Sequence, residues 1–473
     1  MTRLPPLFLG LALLAAACGA SEPTPPVNAT SSVAQSTQTT TDTATPAPTL
    51  TPSPSPTVQM PPDWPVYQLD PGRTGYQPDF PAFGGKLSAA WSASLDGAVY
   101  AEPLIVHGRL IAATEGDSVY ALDPRTGATL WHQAVGTPVR RSSLPCGDID
   151  PLGITGTPAF DQSTGSLFFV AEVTGFHHVL FALDGDTGAI RWSRVVDLPG
   201  DDPRTHQQRP AMAVANGYVY VGFGGLAGDC GQYVGEVVGV PTDGQGPTIS
   251  YRVPVAREGA VWATGGPVVD DSGNLYVSTG NGSSTTRYDG SDSVVELSPK
   301  LKMLSRFAPS SWAADNARDA DLGSLSPVLL PNGFVFIAGK SGTGYVLRQG
   351  ALGGIGGQVS KASVCTGFGG AAYDSQAIYV PCRKNGVRQV RIGADGSLTV
   401  GWKAAGGGPT AVGGGAVWSV DYLGGGDLYA IDPGSGATLA SVPLGSVPHF
   451  ATPTLWDGLV FVGTMNGVTA IQT

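Results

Sequence analysis

The sequence predicts an all-β fold: an eight-bladed β-propeller of four-stranded antiparallel blades, closed by pairing of its N- and C-terminal strands. Three observations predict it. First, a phrase of apolar strand, Asp, Thr-Gly turn, second strand and Trp recurs, running from Val119 through Asp123 and Gly127 to Trp131 and from Leu180 through Asp184 and Gly188 to Trp192. Leu428 to Gly436 repeats it around Asp432, with Ala440 where the Trp would stand. Second, a short strand led by Pro or Gly, a tight turn and a strong apolar strand recur from Glu102, Thr157, Arg209, Gly266, Ser326, Gly370, Gly408 and Thr452. Third, 68 Gly and 39 Pro with only 13% charged residues in a chain of 473 suit many short strands joined by tight turns.

Taken in order, the chain opens on an address. Arg3 precedes an apolar run from Leu7 to Ala17, too short to cross a bilayer and shaped like a secretory signal. Leu14-Ala15-Ala16-Ala17-Cys18 resembles the bacterial lipobox, with Ala15 where Leu is usual. Residues 1–18 are therefore expected to be a lipoprotein-type signal peptide ending at a lipidated Cys18. The acyl chains would hold the protein to a bacterial membrane from outside the cytoplasm, at the cell surface or in the periplasm. Residues 19–62 are Ser, Thr, Pro and Ala with almost no large apolar side chain. They cannot bury enough surface to offset their ordering entropy, and read as a disordered stalk. The propeller is expected over residues 63–473.

Each of the eight hairpins supplies the first two strands of a blade, and the Asp-Gly turn links the third to the fourth. A lone sheet of this size cannot bury both faces, whereas radially stacked sheets bury them against their neighbours. The last unit, ending Val468-Thr-Ala-Ile-Gln-Thr473, lacks an outer strand, and Leu87 to Leu95 is an orphan outer strand that fits there. Pairing the two would close the ring and remove its exposed edges. Seven blades is the alternative count, because the units around Ser305 and Val359 are degenerate.

A net charge of −11 and a pI near 4.9 leave no basic face for phosphates, which excludes nucleic-acid partners. Four cysteines follow Cys18. They allow three pairings, of which Cys365 with Cys382 across one hairpin and Cys146 with Cys230 between two Gly/Asp loops are favoured. There is no Cys-x-x-Cys pair for zinc and no Cys-x-x-Cys-His for haem.

The Ala-Leu-Asp-x-x-Thr-Gly-x-x-x-Trp phrase resembles the tryptophan-docking motif of quinoprotein-type (PQQ-like) β-propellers, whose members span quinoprotein alcohol dehydrogenases and BamB-like assembly lipoproteins. Asp63-Trp64 to Tyr76 is also similar to the lead-in of such propellers. The resemblance implies docking roles for Asp123, Gly127, Trp131, Asp184, Gly188 and Trp192. For the dehydrogenases it further implies PQQ and Ca²⁺ on the propeller axis, with Asn281 of Thr279-Gly280-Asn281-Gly282 among the metal ligands and Asp321 as base. The vicinal Cys-Cys pair of those enzymes is absent, and no Glu ligand stands in Gly228-Asp229-Cys230-Gly231.

Glu115, Glu172, Arg209 and Lys340 sit at the entrances or ends of hairpin strands and together are candidates for a mixed-charge pocket. His177 and His178 are adjacent, so on a strand they face opposite ways and cannot chelate one ion together. These two and His206 are assigned surface or packing roles, and no metal site is expected. The repeated Trp residues, Trp91, Trp131, Trp192 and Trp402, are read as inter-blade packing with an indole hydrogen bond. The favoured functional reading is a lipid-anchored binding or scaffolding module without a cofactor, presenting its loops to a protein partner or extracellular ligand. The alternative is a divergent PQQ- and Ca²⁺-dependent dehydrogenase of alcohols or sugars, using Asn281 and Asp321.

Overall fold

A computed structural model describes residues 61–473. The signal peptide, Cys18 and the stalk up to residue 60 lie outside the described residues. The remainder forms eight antiparallel sheets arranged as propeller blades. Blade 1 comprises Leu104–Val106, Arg109–Thr114, Ser118–Leu122 and Thr129–Ala134, and blade 2 Ala159–Asp161, Ser166–Val173, His177–Asp184 and Ile190–Val195. Blade 3 is Ala213–Ala215, Tyr218–Gly225, Glu236–Pro241 and Ile249–Arg252, with His206–Gln207 added along Tyr218–Gly225. Blade 4 runs from Val268–Val269 to Met303–Ala308, blade 5 from Val328–Leu329 to Ser360–Ser363, blade 6 from Ala372–Tyr373 to Leu398–Ala404, and blade 7 from Thr410–Gly413 to Thr438–Pro443. The two degenerate units are complete blades, with Met303–Ala308 and Ser360–Ser363 as their outer strands, so the count is eight rather than seven.

Closure occurs as the pattern requires. Blade 8 takes Thr454–Trp456, Leu459–Thr464 and Gly467–Gln472 from the C-terminus and its outer strand, Ser88–Ser94, from the N-terminus. Ser88 pairs with Gln472 and Ser94 with Gly467. Inner strands are buried throughout, whereas outer strands such as Thr129–Ala134 and Ile190–Val195 expose alternate residues. Successive side chains of a strand point to opposite faces, so this alternation marks an outer strand with one face covered and the other in solvent.

The docking phrase has a clear physical basis. Asp123 Oδ1 accepts from the backbone N–H of Arg125 (2.9 Å) and Thr126 (2.8 Å), closing the turn, and Asp184 and Asp432 do the same in their own turns. Gly127 and Gly188 each sit at φ +73°, and a Cβ there would stand 2.6 Å from the Trp91 ring and 2.5 Å from the Trp131 ring. Each indole thus lies on the glycine turn of the next blade. Trp91 Nε1 donates to Pro124 O at 3.0 Å and Trp402 Nε1 to Pro433 O at 3.1 Å. Trp131 corrects the general expectation, because its buried indole N–H has no partner and its contact is packing alone.

The lead-in closes one end of the ring. Trp64 bridges Ile105 of blade 1, and the backbone N–H groups of Phe160, Val269 and Tyr373 donate to Pro65, Pro71 and Thr74. The buried Tyr67 hydroxyl lies 3.2 Å from Thr264 Oγ1 and 3.4 Å from Thr452 Oγ1, which lead into blades 4 and 8. Those blades are opposite one another in a ring of eight, so Tyr67 stands on the axis. Arg73, 3% exposed, donates to Tyr67 O, Met212 O and Pro267 O, fixing the segment to blades 3 and 4. The disulfides Cys146–Cys230 and Cys365–Cys382 are both formed. No helix among the described residues is long and apolar enough to cross a membrane.

Candidate functional site

The opposite face is open. There the loops after the second strand of blades 3 to 6, with the lead-ins to blades 3 to 5, surround a cavity of about 360 Å³. This is within the size range of small-ligand sites. Its walls carry Gln207, Arg209, Asp229, Tyr233, Trp262, Asn281, Asp319, Asp321, Lys340 and Arg383.

Asn281 ends the Thr279-Gly280-Asn281 loop that follows Leu275–Ser278. Its backbone N–H donates to Asp321 Oδ1 at 2.6 Å, leaving the side-chain amide at the cavity wall. A Cβ on Gly280 would stand 3.2 Å from Trp262 Nε1 and 3.3 Å from Asp321 Oδ1, so the glycine lets the loop reach both groups. Asp321 is 3% exposed, and its Oδ2 lies 2.7 Å from Lys340 Nζ. The Lys340 backbone N–H donates to Asp321 O at 2.7 Å, an approach that Gly339 permits because a Cβ there would stand 2.2 Å from the same oxygen. Burial raises the Asp321 carboxyl above the usual carboxylate range, against the opposing pull of Lys340 and the Asn281 N–H. Burial also opposes the Lys340 charge, but Asp321 and Asp319 outweigh it and hold the ammonium above the ordinary lysine range.

The other two cations are differently placed. Arg209 lies over the Phe450 ring at 4.6 Å and Arg383 over the Phe368 ring at 5.0 Å. Among the described residues neither forms an ion pair, and Arg209 Nε has no hydrogen-bond partner. Burial lowers the Arg209 pKa. Trp262 meets Phe368 and Phe450 edge-on, at 65° and 64°, and Lys340 Nζ lies 5.5 Å from its centroid. Asp229 accepts a 2.5 Å hydrogen bond from the Tyr233 hydroxyl. The Cys146–Cys230 disulfide and the 3.0 Å Gly147 N–H to Ala227 O bond fasten this wall to the loop before blade 2.

Of the residues singled out from sequence, Arg209, Asn281, Asp321 and Lys340 converge on this cavity. Glu115 and Glu172 do not, which corrects the expected four-residue pocket. Glu115 belongs to blade 1, where its carboxylate accepts from Gly153 N–H (2.7 Å) and Thr155 Oγ1 (2.8 Å) and faces a different hollow; burial pushes its pKa up to about 8. Glu172 is buried in blade 2 with Oε2 3.3 Å from His178 Nε2. Equivalent positions in a ring of eight lie around the rim, so similar register in sequence does not imply contact. Trp262, Arg383, Tyr233 and Asp319 were missed. Trp262 carried a signal, since it leads into blade 4 four residues before Gly266, outside any docking phrase.

Residues 88–348, just over half of the chain, match the PQQ-like family described as outer membrane protein assembly factor BamB. The chain belongs to that family. Within it, the chain is similar to polyvinylalcohol dehydrogenase of Sphingopyxis sp. (strain 113P3), 26% identical over 239 residues covering 45% of this chain and 34% of the relative. It is also 32% identical to quinohemoprotein alcohol dehydrogenase ADH-IIG of Pseudomonas putida over 143 residues, covering 30% and 18% respectively. The chain therefore spans about a third or less of these relatives' lengths. Quinohemoprotein alcohol dehydrogenase from Comamonas testosteroni superimposes with a TM-score of 0.66 at 18% identity, covering 87% of this chain and 80% of the other. BamB from Moraxella catarrhalis does so with 0.56 at 14% identity, covering 82% and 98%. At these identities the structural matches establish the fold.

Proposed function

We propose that the protein is a quinone-dependent dehydrogenase that oxidises a hydroxyl-bearing substrate at the cavity of blades 3 to 6. One observation carries the reading: an indole face, two unpaired guanidiniums and a buried carboxylate on a lysine meet in one cavity of about 360 Å³. These residues fit a planar aromatic quinone bearing several carboxylates, as PQQ is. Trp262 would stack on the ring, and Arg209 and Arg383 would take the carboxylates. The Asn281 amide oxygen is a hard donor suited to Ca²⁺, with Asp321 beside it. When bound, the quinone supplies the acceptor for the two electrons and hydrogen that leave the carbinol carbon. Asp321 Oδ2 takes the hydroxyl proton of the substrate. Burial favours the protonated carboxyl that results, and Lys340 holds the carboxylate in place before transfer. The similarity to alcohol and polyvinylalcohol dehydrogenases supports this reading over a cofactor-free module.

The binding or scaffolding module remains as a second reading because the family itself is described by an assembly factor. Lipid anchoring at Cys18 outside the cytoplasm is part of either proposal and is checked by mass spectrometry of the mature N-terminus. The deciding experiment is calorimetric titration of the full chain with PQQ and Ca²⁺, followed by dye-linked oxidation of alcohols and sugars. Saturable binding with turnover that Asp321→Asn abolishes is expected. Absence of both binding and turnover would return the protein to the second reading.

A further inference from the structure

A second cluster lies between blades 2 and 3, behind the cavity wall that Gln207, Gly225 and Tyr233 form. Glu236 pairs with Phe223 and His206 with Gly225, on opposite edges of the strand Tyr218–Gly225. Residues 223 and 225 share a face of that strand, so Glu236 and His206 project on the same side. Asp201, from the loop after blade 2, completes the group. One ligand atom from each of Asp201, His206 and Glu236 lies within 4.8 Å of the others.

The imidazole is oriented as a ligand. His206 Nδ1 donates to Asp202 O at 3.1 Å, which places the lone pair on Nε2. His206 is 3% exposed, and this Nε2 has no hydrogen-bond partner. Glu236 is 2% exposed, and its Oε2 also has none. A buried nitrogen acceptor and a buried carboxylate oxygen thus face one another without a donor between them, an arrangement that costs free energy unless a proton or a metal cation is shared between them. Arg252 supplies part of the positive charge from the solvent side. Its guanidinium donates to Asp201 at 2.6 and 2.9 Å and lies 3.5 Å from Glu236 Oε2, but it does not satisfy His206.

We propose that Asp201, His206 and Glu236 form a structural divalent-metal site of the Zn²⁺ class, one imidazole nitrogen and two carboxylate oxygens with a water completing the shell. The imidazole disfavours Ca²⁺ and Mg²⁺, which take oxygen shells, and the mixed set suits Zn²⁺. The ion fastens the loop at 201–206 onto the blade 3 sheet. Gln207 and Arg209 follow at once and line the cavity, so the ion also fixes the wall they form. Arg252 is a competing cation, 44% exposed and able to swing into solvent.

The test is calorimetric titration of the chelator-stripped full chain with ZnCl₂, followed by excess Ca²⁺. One equivalent of Zn²⁺ is expected to bind, and an excess of Ca²⁺ is not expected to displace it. Glu236→Gln and His206→Gln, both close in shape to the native residues, should each weaken it at least about tenfold. Arg252→Gln keeps all three donors and should tighten it. The proposal is overturned if no equivalent of Zn²⁺ binds, if Ca²⁺ displaces the bound Zn²⁺, or if binding survives unchanged in both ligand variants, which would place it at exposed groups such as His177. Should neither ligand variant fold, Arg252→Gln decides: tighter binding supports the site, and unchanged or weaker binding overturns it.

Discussion

Replacing Gly188 by Ala tests the docking of one blade on the next. Gly188 has φ +73°, and a Cβ there would stand 2.5, 2.8 and 2.9 Å from three carbons of the Trp131 ring. Gly217, in a turn of blade 3, has the same φ of +73° and nothing within 4 Å of its Cβ position. Both substitutions incur the left-handed backbone cost of an L-residue, about 1–2 kcal/mol. Only Gly188→Ala also drives a methyl into a packed ring, a further cost of about 1–3 kcal/mol. Gly188→Ala should therefore destabilise by about 2–5 kcal/mol and Gly217→Ala by about 1–2 kcal/mol. Equilibrium urea unfolding followed by tryptophan fluorescence reads the difference, with a common slope as the condition for comparison. In a Trp131→Ala background the two glycines should become equivalent, because the ring that opposes the methyl is gone. If Gly188→Ala is no worse than Gly217→Ala, or if the excess persists without Trp131, the docking account is wrong.

Three further outcomes are expected. Under the proposed dehydrogenase reading, Asp321→Asn should cut quinone-dependent turnover by about 10²–10⁴-fold, since it removes the proton acceptor, and should also lower the urea midpoint, since it leaves the Lys340 ammonium without its buried partner; steady-state kinetics on the folded variant check this. Stability should fall as pH rises from about 6.5 to about 9: burial opposes the His178 charge, but Glu172 and Asp197 outweigh it and raise its pKa to about 9, so its contribution is complete below pH 6.5 and lost as pH passes its folded value. Burial holds the Glu102 carboxyl up at about 8, so its contribution is lost between about pH 4.5 and 8 and overlaps the first part of this decline; a flat urea midpoint from about pH 6.5 to 9 would refute it. Finally, replacing both cysteines by Ala should cost about 4–5 kcal/mol for Cys146–Cys230 and about 3 kcal/mol for Cys365–Cys382, since their separations of 84 and 17 residues close loops of very different length; reversal of this order in urea unfolding would count against the loop-entropy account.

The blades were legible because each is local. Thr157, Gly266, Ser326, Gly370, Gly408 and Thr452 each stand two residues before an inner strand, where Pro or Gly and a following apolar run mark the turn into the sheet. The orphan strand at 88–94 was legible for a different reason, since a ring with one strand missing at its end has only one place to find it. The cavity was only half legible. Asn281 and Asp321 came from a motif, and Arg209 and Lys340 from their register on hairpins. Glu115 has the same register as Lys340, yet stands on blade 1 while Lys340 stands on blade 5. Nothing within one repeat distinguishes the two positions, because contact is decided by angular place around the ring. Trp262, Tyr233 and Arg383 are separated by up to 150 residues and meet only once blades 3 to 6 are stacked.

The segment from Trp64 to Tyr76 turns the propeller from a pipe into a cup. Among the described residues, Tyr67 buried on the axis and Arg73 bonded to blades 3 and 4 close this end, which leaves the mouth on the opposite side as the way to the cavity. A bound molecule must leave by the door through which the next arrives, so under the proposed dehydrogenase reading product and substrate would share one passage. A long polymer could not be threaded through such a vessel. It could be worked on only at a free end or at a group that dips over the rim.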